Sequence, residues 1–228
     1  RAFDLELAKL TKGGKWTDAE TLLVDFAKIF NLAYLEGRRS ALSAAETKAG
    51  YSLEMTQERR VAVQSRREAI AKLVSQPDFG SDWEIALQVP FKEMLALLPA
   101  GDAAMIPVRE QIANLYIGES EAARNSELTT RAKSLVTRGR AFYPGFELFK
   151  RQLSLIAKTD AVIVEKRAET GRAARVKRNL SLLVNKAKAN DTQAAEAALK
   201  QLNKDANDGD AESLAAAKSE LGVAYGRL

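Results

Sequence analysis

Residues 146–189 read FELFKRQLSLIAKTDAVIVEKRAETGRAARVKRNLSLLVNKAKA, and this stretch decides the fold. It contains no proline and a single glycine, Gly171, among Ala, Leu, Lys, Arg, Glu and Gln, all good helix formers. Val162, Ala173, Val176, Leu180, Leu183 and Ala187 recur at spacings of three and four, with Lys166 and Glu169 completing the register. That periodicity predicts one very long helix with a coiled-coil stripe. Arg167, Arg175 and Arg178 project from the opposite side, and the small Gly171 and Ala174 let another helix approach closely.

The pattern extends outward. Thirteen Gly and five Pro gather at Gly13-Gly14, Pro77 to Gly80, Pro99 to Gly101, Gly139, Pro144-Gly145 and Asn207 to Gly209. Between these breaks helices are expected at about 3–12, 17–35, 39–75, 82–98, 102–117, 120–138, 146–189, 192–206 and 210–227. Ser81 or Asp82 and then Asp102 are the candidate caps, with Pro107 in an early turn. No stretch alternates with period two for long enough to be a strand, so the predicted fold class is all-α: helical hairpins stacked like a solenoid, with two long antiparallel helices. The expected division is 1–117, a hairpin plus the helix 39–75, and 118–228, the basic helix 146–189 plus a C-terminal hairpin. One continuous domain fits the same pattern. FKEMLALLPAGDAAM at 91–105 matches LKQLNKDANDGDAES at 199–213 in Gly-Asp-Ala and in helix order, which suits a duplicated unit.

Composition excludes whole classes of chemistry. The 228 residues include no Cys and no His. Cys nucleophiles, thiolate metal sites, histidine general bases and Ser-His-Asp triads are therefore absent. No phosphate-binding glycine loop and no calcium-loop spacing occurs. No enzyme activity, cofactor or metal is expected. No apolar run reaches the roughly 18 residues of a membrane span. The chain begins with Arg1 and its helical pattern still runs at Leu221, Tyr225 and Leu228, so it reads as a piece of a longer polypeptide. Lack of Cys suits the cytoplasm and a bacterial periplasm equally.

The first hairpin carries a family likeness. LAKLTKGGKWTDAETLLVDFAKIF at 7–30 sets Leu10, Gly14, Trp16, Ala19, Leu23 and Phe26 nearly as a tetratricopeptide repeat does. LGVAY at 221–225 resembles the start of such a repeat through Leu221, Gly222 and Tyr225. A looser match at 131–155 rests on Ala132, Leu135, Gly139 and Pro144. The likeness covers a third of the chain and resembles a degenerate relative with extended helices. It implies an α-solenoid that binds peptides or proteins on a concave face, without catalysis.

Two groups of cations are candidate partner-binding residues. Residues 1–114 carry 15 basic and 16 acidic side chains and residues 115–228 carry 20 and 14, so the halves are −1 and +6 within a total of +5. The excess gathers at Lys166, Arg167, Arg172, Arg175, Lys177 and Arg178. Such a face suits an acidic partner, an anionic lipid surface or a phosphate backbone, or is simply solvated. The aromatic side chains that stack on single strands are missing there, which disfavours nucleic acid. Arg59 and Arg66 lie on the stripe Tyr51, Met55, Ala62, Ala69, Leu73, where their stems would cover apolar surface and their heads reach water. A buried guanidinium would need a carboxylate, with Glu54, Glu58 and Glu68 the local candidates, and an inter-helix ion pair or a partner contact is the other reading. Phe142, Tyr143, Phe146 and Phe149 around Pro144-Gly145 are expected in the core, as are Trp16, Phe26, Phe30 and Tyr34, with Trp83, Phe79 and Phe91 anchoring the middle junction.

The expected function is a non-catalytic protein-interaction, scaffold or sensor module within a larger protein, contacting another protein or a neighbouring domain. Polyanion binding through the 166–178 face and self-assembly through the coiled-coil stripes are the alternatives.

Overall fold

The computed structural model describes residues 2–226, and among them it has ten α-helices and no strand. The chain is all-α. In order these are α1 (Ala2–Lys12), α2 (Trp16–Phe26), α3 (Leu32–Lys48), α4 (Gln57–Ser75), α5 (Ser81–Leu97), α6 (Met105–Asn125), α7 (Thr129–Phe142), α8 (Glu147–Lys188), α9 (Thr192–Asp205) and α10 (Ala211–Tyr225). A 3-10 turn, Asp208–Asp210, precedes α10.

The long helix is present nearly as expected, but four of the other expected helices are divided differently. The segment 17–35 breaks at residues 27–31, where the Asn31 side chain accepts from the Tyr34 amide and starts α3. Asn competes with helical hydrogen bonds inside a helix and is favoured at its start. The segment 39–75 breaks at 49–56: Gly50 takes φ +72°, and Thr56 caps α4 through the Arg59 amide. Tyr51 and Met55 therefore lie in a connection and not on a helical stripe. The last break falls at 126–128, where Glu127 has φ +60°, so α6 and α7 replace helices at 102–117 and 120–138. Asp102 bonds the Ala104 amide in the turn ahead of α6, and α5 starts from Gly80 without a side-chain cap.

Two compact units form, 1–156 and 157–228. A boundary at 117/118 would fall inside α6, which packs along α7 and binds them into one unit. The two Gly-Asp-Ala turns also differ. Gly101 takes φ +76°, whereas Asn207 and Asp210 form a capping box around the 3-10 turn.

In the first unit α5 is the axis, with every residue from Pro90 to Leu98 buried and α2, α3 and α4 packed on it. The core continues through Phe91, Tyr116, Phe142 and Phe149, all fully buried. Phe91 meets Phe142 edge-on at 5.1 Å between centroids, and Trp83 donates to the Leu73 carbonyl at 3.0 Å. Gly139 lets α7 touch its neighbours: a Cβ there would lie 2.7 Å from Phe149 and 2.8 Å from the Tyr116 Cβ. Gly118 in α6 is the opposite case, with nothing within 4 Å of an added Cβ. Gly118→Ala is expected to raise stability by about 0.5–1 kcal/mol through helix propensity alone, which urea unfolding would register as a shifted midpoint. In the second unit α8, α9 and α10 enclose a small-residue core of Val176, Leu183, Ala187, Ala195, Ala198, Leu202, Ala217 and Leu221.

One device recurs. A helix ends with four unsatisfied carbonyls and a negative dipole, which suits a cation. Here that cation is an arginine from another helix. Arg39 of α3 donates its Nε to the Leu98 carbonyl at 2.7 Å and Arg59 of α4 reaches the Leu97 carbonyl at 3.2 Å, both at the end of α5. Arg109 of α6 bonds the Phe142 carbonyl at the end of α7 at 2.7 Å, and Arg172 of α8 bonds the Asp205 carbonyl ending α9 at 2.9 Å. Arg138 bonds the carbonyl of Phe79, a residue at φ +58°, at 2.8 Å. Each arginine also faces a carboxylate: Glu20 and Glu46 for Arg39, Glu20 for Arg59, Glu36 for Arg109, Glu84 for Arg138, Glu169 and Asp210 for Arg172.

Candidate functional site

The α1–α2 hairpin turns at Gly13-Gly14-Lys15, with Gly14 at φ +68°. α3 then lies beside α1, running the same way, since Phe3 and Asp4 meet Phe30, Tyr34 and Arg38 while Thr11 and Lys12 share a groove with Ala41 and Leu42. That groove, about 280 Å³, is lined by Asp4, Leu7, Ala8, Thr11, Lys12, Arg38, Ala41 and Leu42. Its floor is apolar, because Leu7 and Leu42 are buried, and Ala8 and Ala41 keep its lips low.

One end of the groove is closed by a polar cluster. Tyr34 donates its hydroxyl to Asp4, Arg38 pairs with Asp4 at 2.8 Å, and the Arg38 guanidinium sits 4.7 Å from the Tyr34 ring centre. The Tyr34 hydroxyl first, and Arg38 after it, hold the Asp4 carboxyl below the usual carboxylate range. Beyond that cluster lies an aromatic rim. Phe3 is 4.6 Å from Phe30 and 5.4 Å from Phe26 between ring centres, and Ile29 stands 71% exposed beside them. Of Trp16, Phe26, Phe30 and Tyr34, all expected in the core, Trp16 and Phe30 are half-buried against it, Tyr34 is half-buried, and Phe26 alone is exposed, a correction. Phe142 and Phe149 are in the core as expected, with Tyr143 and Phe146 half-buried beside them.

The cations singled out in the sequence are dispersed. Arg59 does not reach for water. Its Nη2 meets the buried Glu20 at 3.1 Å. Arg66 pairs with Glu93 at 2.9 Å, and Lys28 takes the other oxygen of that carboxylate at 3.0 Å. Neither arginine uses Glu54, Glu58 or Glu68 for these pairs, since α2 supplies Glu20 to Arg59 and α5 supplies Glu93 to Arg66. On α8, Arg172 is held by Glu169, Asp210 and the Asp205 carbonyl, and Arg175 pairs with Asp205 at 3.2 Å. Arg172 holds the Glu169 carboxyl below the usual carboxylate range, and the Asn207 amide first, with Arg172 after it, does the same for Asp210. Lys166, Arg167, Lys177 and Arg178 are exposed, and the last three make no ion pair among the described residues. Val162, expected on the buried stripe, is 62% exposed, and Ile163 is buried in its place.

Sequence reasoning missed Glu20, Arg39 and Glu46, which are among the most deeply buried charges in the molecule. The signal was present: Leu35, Arg39, Leu42 and Glu46 share one helical stripe, and Glu20 sits between Ala19 and Leu23 on another. Among the described residues no group of three metal-ligating side chains occurs, and no helix is long and apolar enough to cross a membrane. Compared with known protein families, with curated proteins and with solved structures, the chain matches none.

Proposed function

We propose that this chain is a non-catalytic helical interaction module, of scaffold or sensor type, that docks a peptide or protein segment in the α1–α3 groove. The observation that carries the reading is an apolar groove flanked, beyond the Asp4–Tyr34–Arg38 cluster, by the exposed Phe26 and Ile29 and the half-buried Phe30. A buried floor beside half-exposed aromatic rings is the composition of a docking surface, where a few desolvated anchors supply most of the affinity. Asp4 is paired with Arg38 and accepts from Tyr34 at the groove's end, so an incoming apolar side chain does not meet a bare carboxylate there. The 166–178 face supports polyanion binding less well, because Arg172 and Arg175 are committed to carboxylates of the same unit.

Panning a displayed random-peptide library against the folded protein tests this. Peptides selected on the wild type are expected to lose about 10- to 30-fold in affinity for the Ala8→Arg/Ala41→Arg variant, which fills the groove from exposed positions. The variant's circular dichroism and melting temperature should stay unchanged. Equal binding to both proteins, or binding that falls steeply with salt instead, would refute the groove.

A further inference from the structure

The Glu20, Arg39, Glu46 and Arg59 side chains meet where α2, α3 and α4 close over the end of α5, and their geometry is incomplete. Arg39 is 1% exposed and its Nε is committed to the Leu98 carbonyl. Its Nη2 is therefore placed between two carboxylates, 3.6 Å from Glu20 Oε1 and 3.7 Å from Glu46 Oε2, too far for a hydrogen bond to either. Four buried polar atoms are left without a hydrogen-bond partner: Glu20 Oε1, Glu46 Oε1, and Arg39 Nη1 and Nη2. Buried polar atoms are almost always satisfied, and two of these four, Glu20 Oε1 and Glu46 Oε1, are acceptors that a proton placed between the carboxyls would join.

We propose that Glu20 and Glu46 share one proton, taken from solvent, making this four-helix junction a proton-binding site. The charged groups facing it are Glu20 from α2, Arg39 and Glu46 from α3 and Arg59 from α4, while α5 contributes the Leu97 and Leu98 carbonyls. Fully ionised, the cluster is neutral by count but poorly connected. A proton on Glu46 turns an orphan oxygen into a donor for Glu20, whose Oε2 keeps its bond from Arg59 at 3.1 Å. Burial pushes the Glu46 carboxyl up to about 6, and Glu20 adds to that rise against the opposite pull of Arg39 and Arg59. Because this value lies above the unfolded one of 4.5, the proton stabilises the fold as pH falls from 7 toward 5 and the gain is lost as pH rises through 6.

Carbon-13 NMR titration of the glutamate carboxyls in the intact chain is the direct test. One resonance, absent from Glu46→Gln, should titrate near pH 6, and in Glu20→Gln its midpoint should move down. Between pH 7 and 5 the wild type should gain about 5- to 10-fold more in its folding equilibrium constant than Glu46→Gln does. If every glutamate of the wild type titrates below pH 5, the site does not exist, and that outcome needs no variant to fold. A midpoint near 6 that Glu20→Gln leaves unmoved would mean burial alone, and would overturn the sharing.

Discussion

Arg39→Ala is expected to cost about 3–5 kcal/mol of folding stability, the usual penalty for removing one member of a buried ion cluster. The substitution leaves Glu20 and Glu46 facing each other, with Arg59 alone to balance two carboxylates, and it strips the Leu98 carbonyl of its donor. For a chain of this length the loss corresponds to a drop in melting temperature of about 10 °C. Chemical denaturation followed by circular dichroism would measure it. The double variant Arg39→Ala/Glu46→Gln should recover part of the loss, since a neutral amide no longer needs the missing cation. A cost under about 1 kcal/mol would show that α3 is held to α5 by apolar packing alone. Arg39→Lys should also fall short, because an ammonium cannot keep the Nε bond to Leu98 while facing two carboxylates at once.

Gly139→Val should cost about 3 kcal/mol, near the upper end for forcing side-chain volume into a packed interior. Its Cβ alone would sit 2.8 Å from the Tyr116 Cβ, an atom one bond from the α6 backbone, so a rotamer change cannot relieve the clash. The helices α6 and α7 must separate, disturbing the stacked Tyr116 and Phe142 rings, 6.0 Å apart between centres. Gly139→Ala should lose less, since alanine's better helix propensity offsets about 1 kcal/mol of the overlap. Thermal unfolding of the two variants beside Gly118→Ala would rank them Val, Ala, wild type and Gly118→Ala in rising stability. A stabilised Gly139→Ala would mean that the α6–α7 contact is looser than its distances imply.

The all-α class and the span of α8 were legible because helix propensity and a three-four apolar repeat are local properties of the chain. The breaks at 27–31, 49–56 and 126–128 were less so. The first rests on a single Asn cap, and the last on Glu127 and Leu128, residue types that ordinarily continue a helix. The charges were legible as anomalies and illegible as partners. Arg59 and Arg66 stood out on an apolar stripe, yet Glu20 and Glu93 come to them from other helices, and no local spacing encodes that. The aromatic rim failed for a related reason. Phe26 and Phe30 have core-like spacing, but only Phe30 is packed against the core, beside Tyr34 of α3, and Phe26 is left exposed. The groove itself is a property of how α1 and α3 lie side by side, which neither helix records.

The arginines that close the ends of α5, α7 and α9 bear on how this protein's kin would be recognised. Apolar positions in a helical core exchange Leu, Ile, Met and Val at little cost, so their identities blur over evolutionary time. A guanidinium that binds a backbone carbonyl and a carboxylate together has no such substitute. Chains sharing this architecture should therefore be traceable by a sparse signature. Arginines at the positions of Arg39, Arg59, Arg109 and Arg138 would each be matched by an acid where Glu20, Glu36 or Glu84 stands, even after the hydrophobic residues between them have become unalignable.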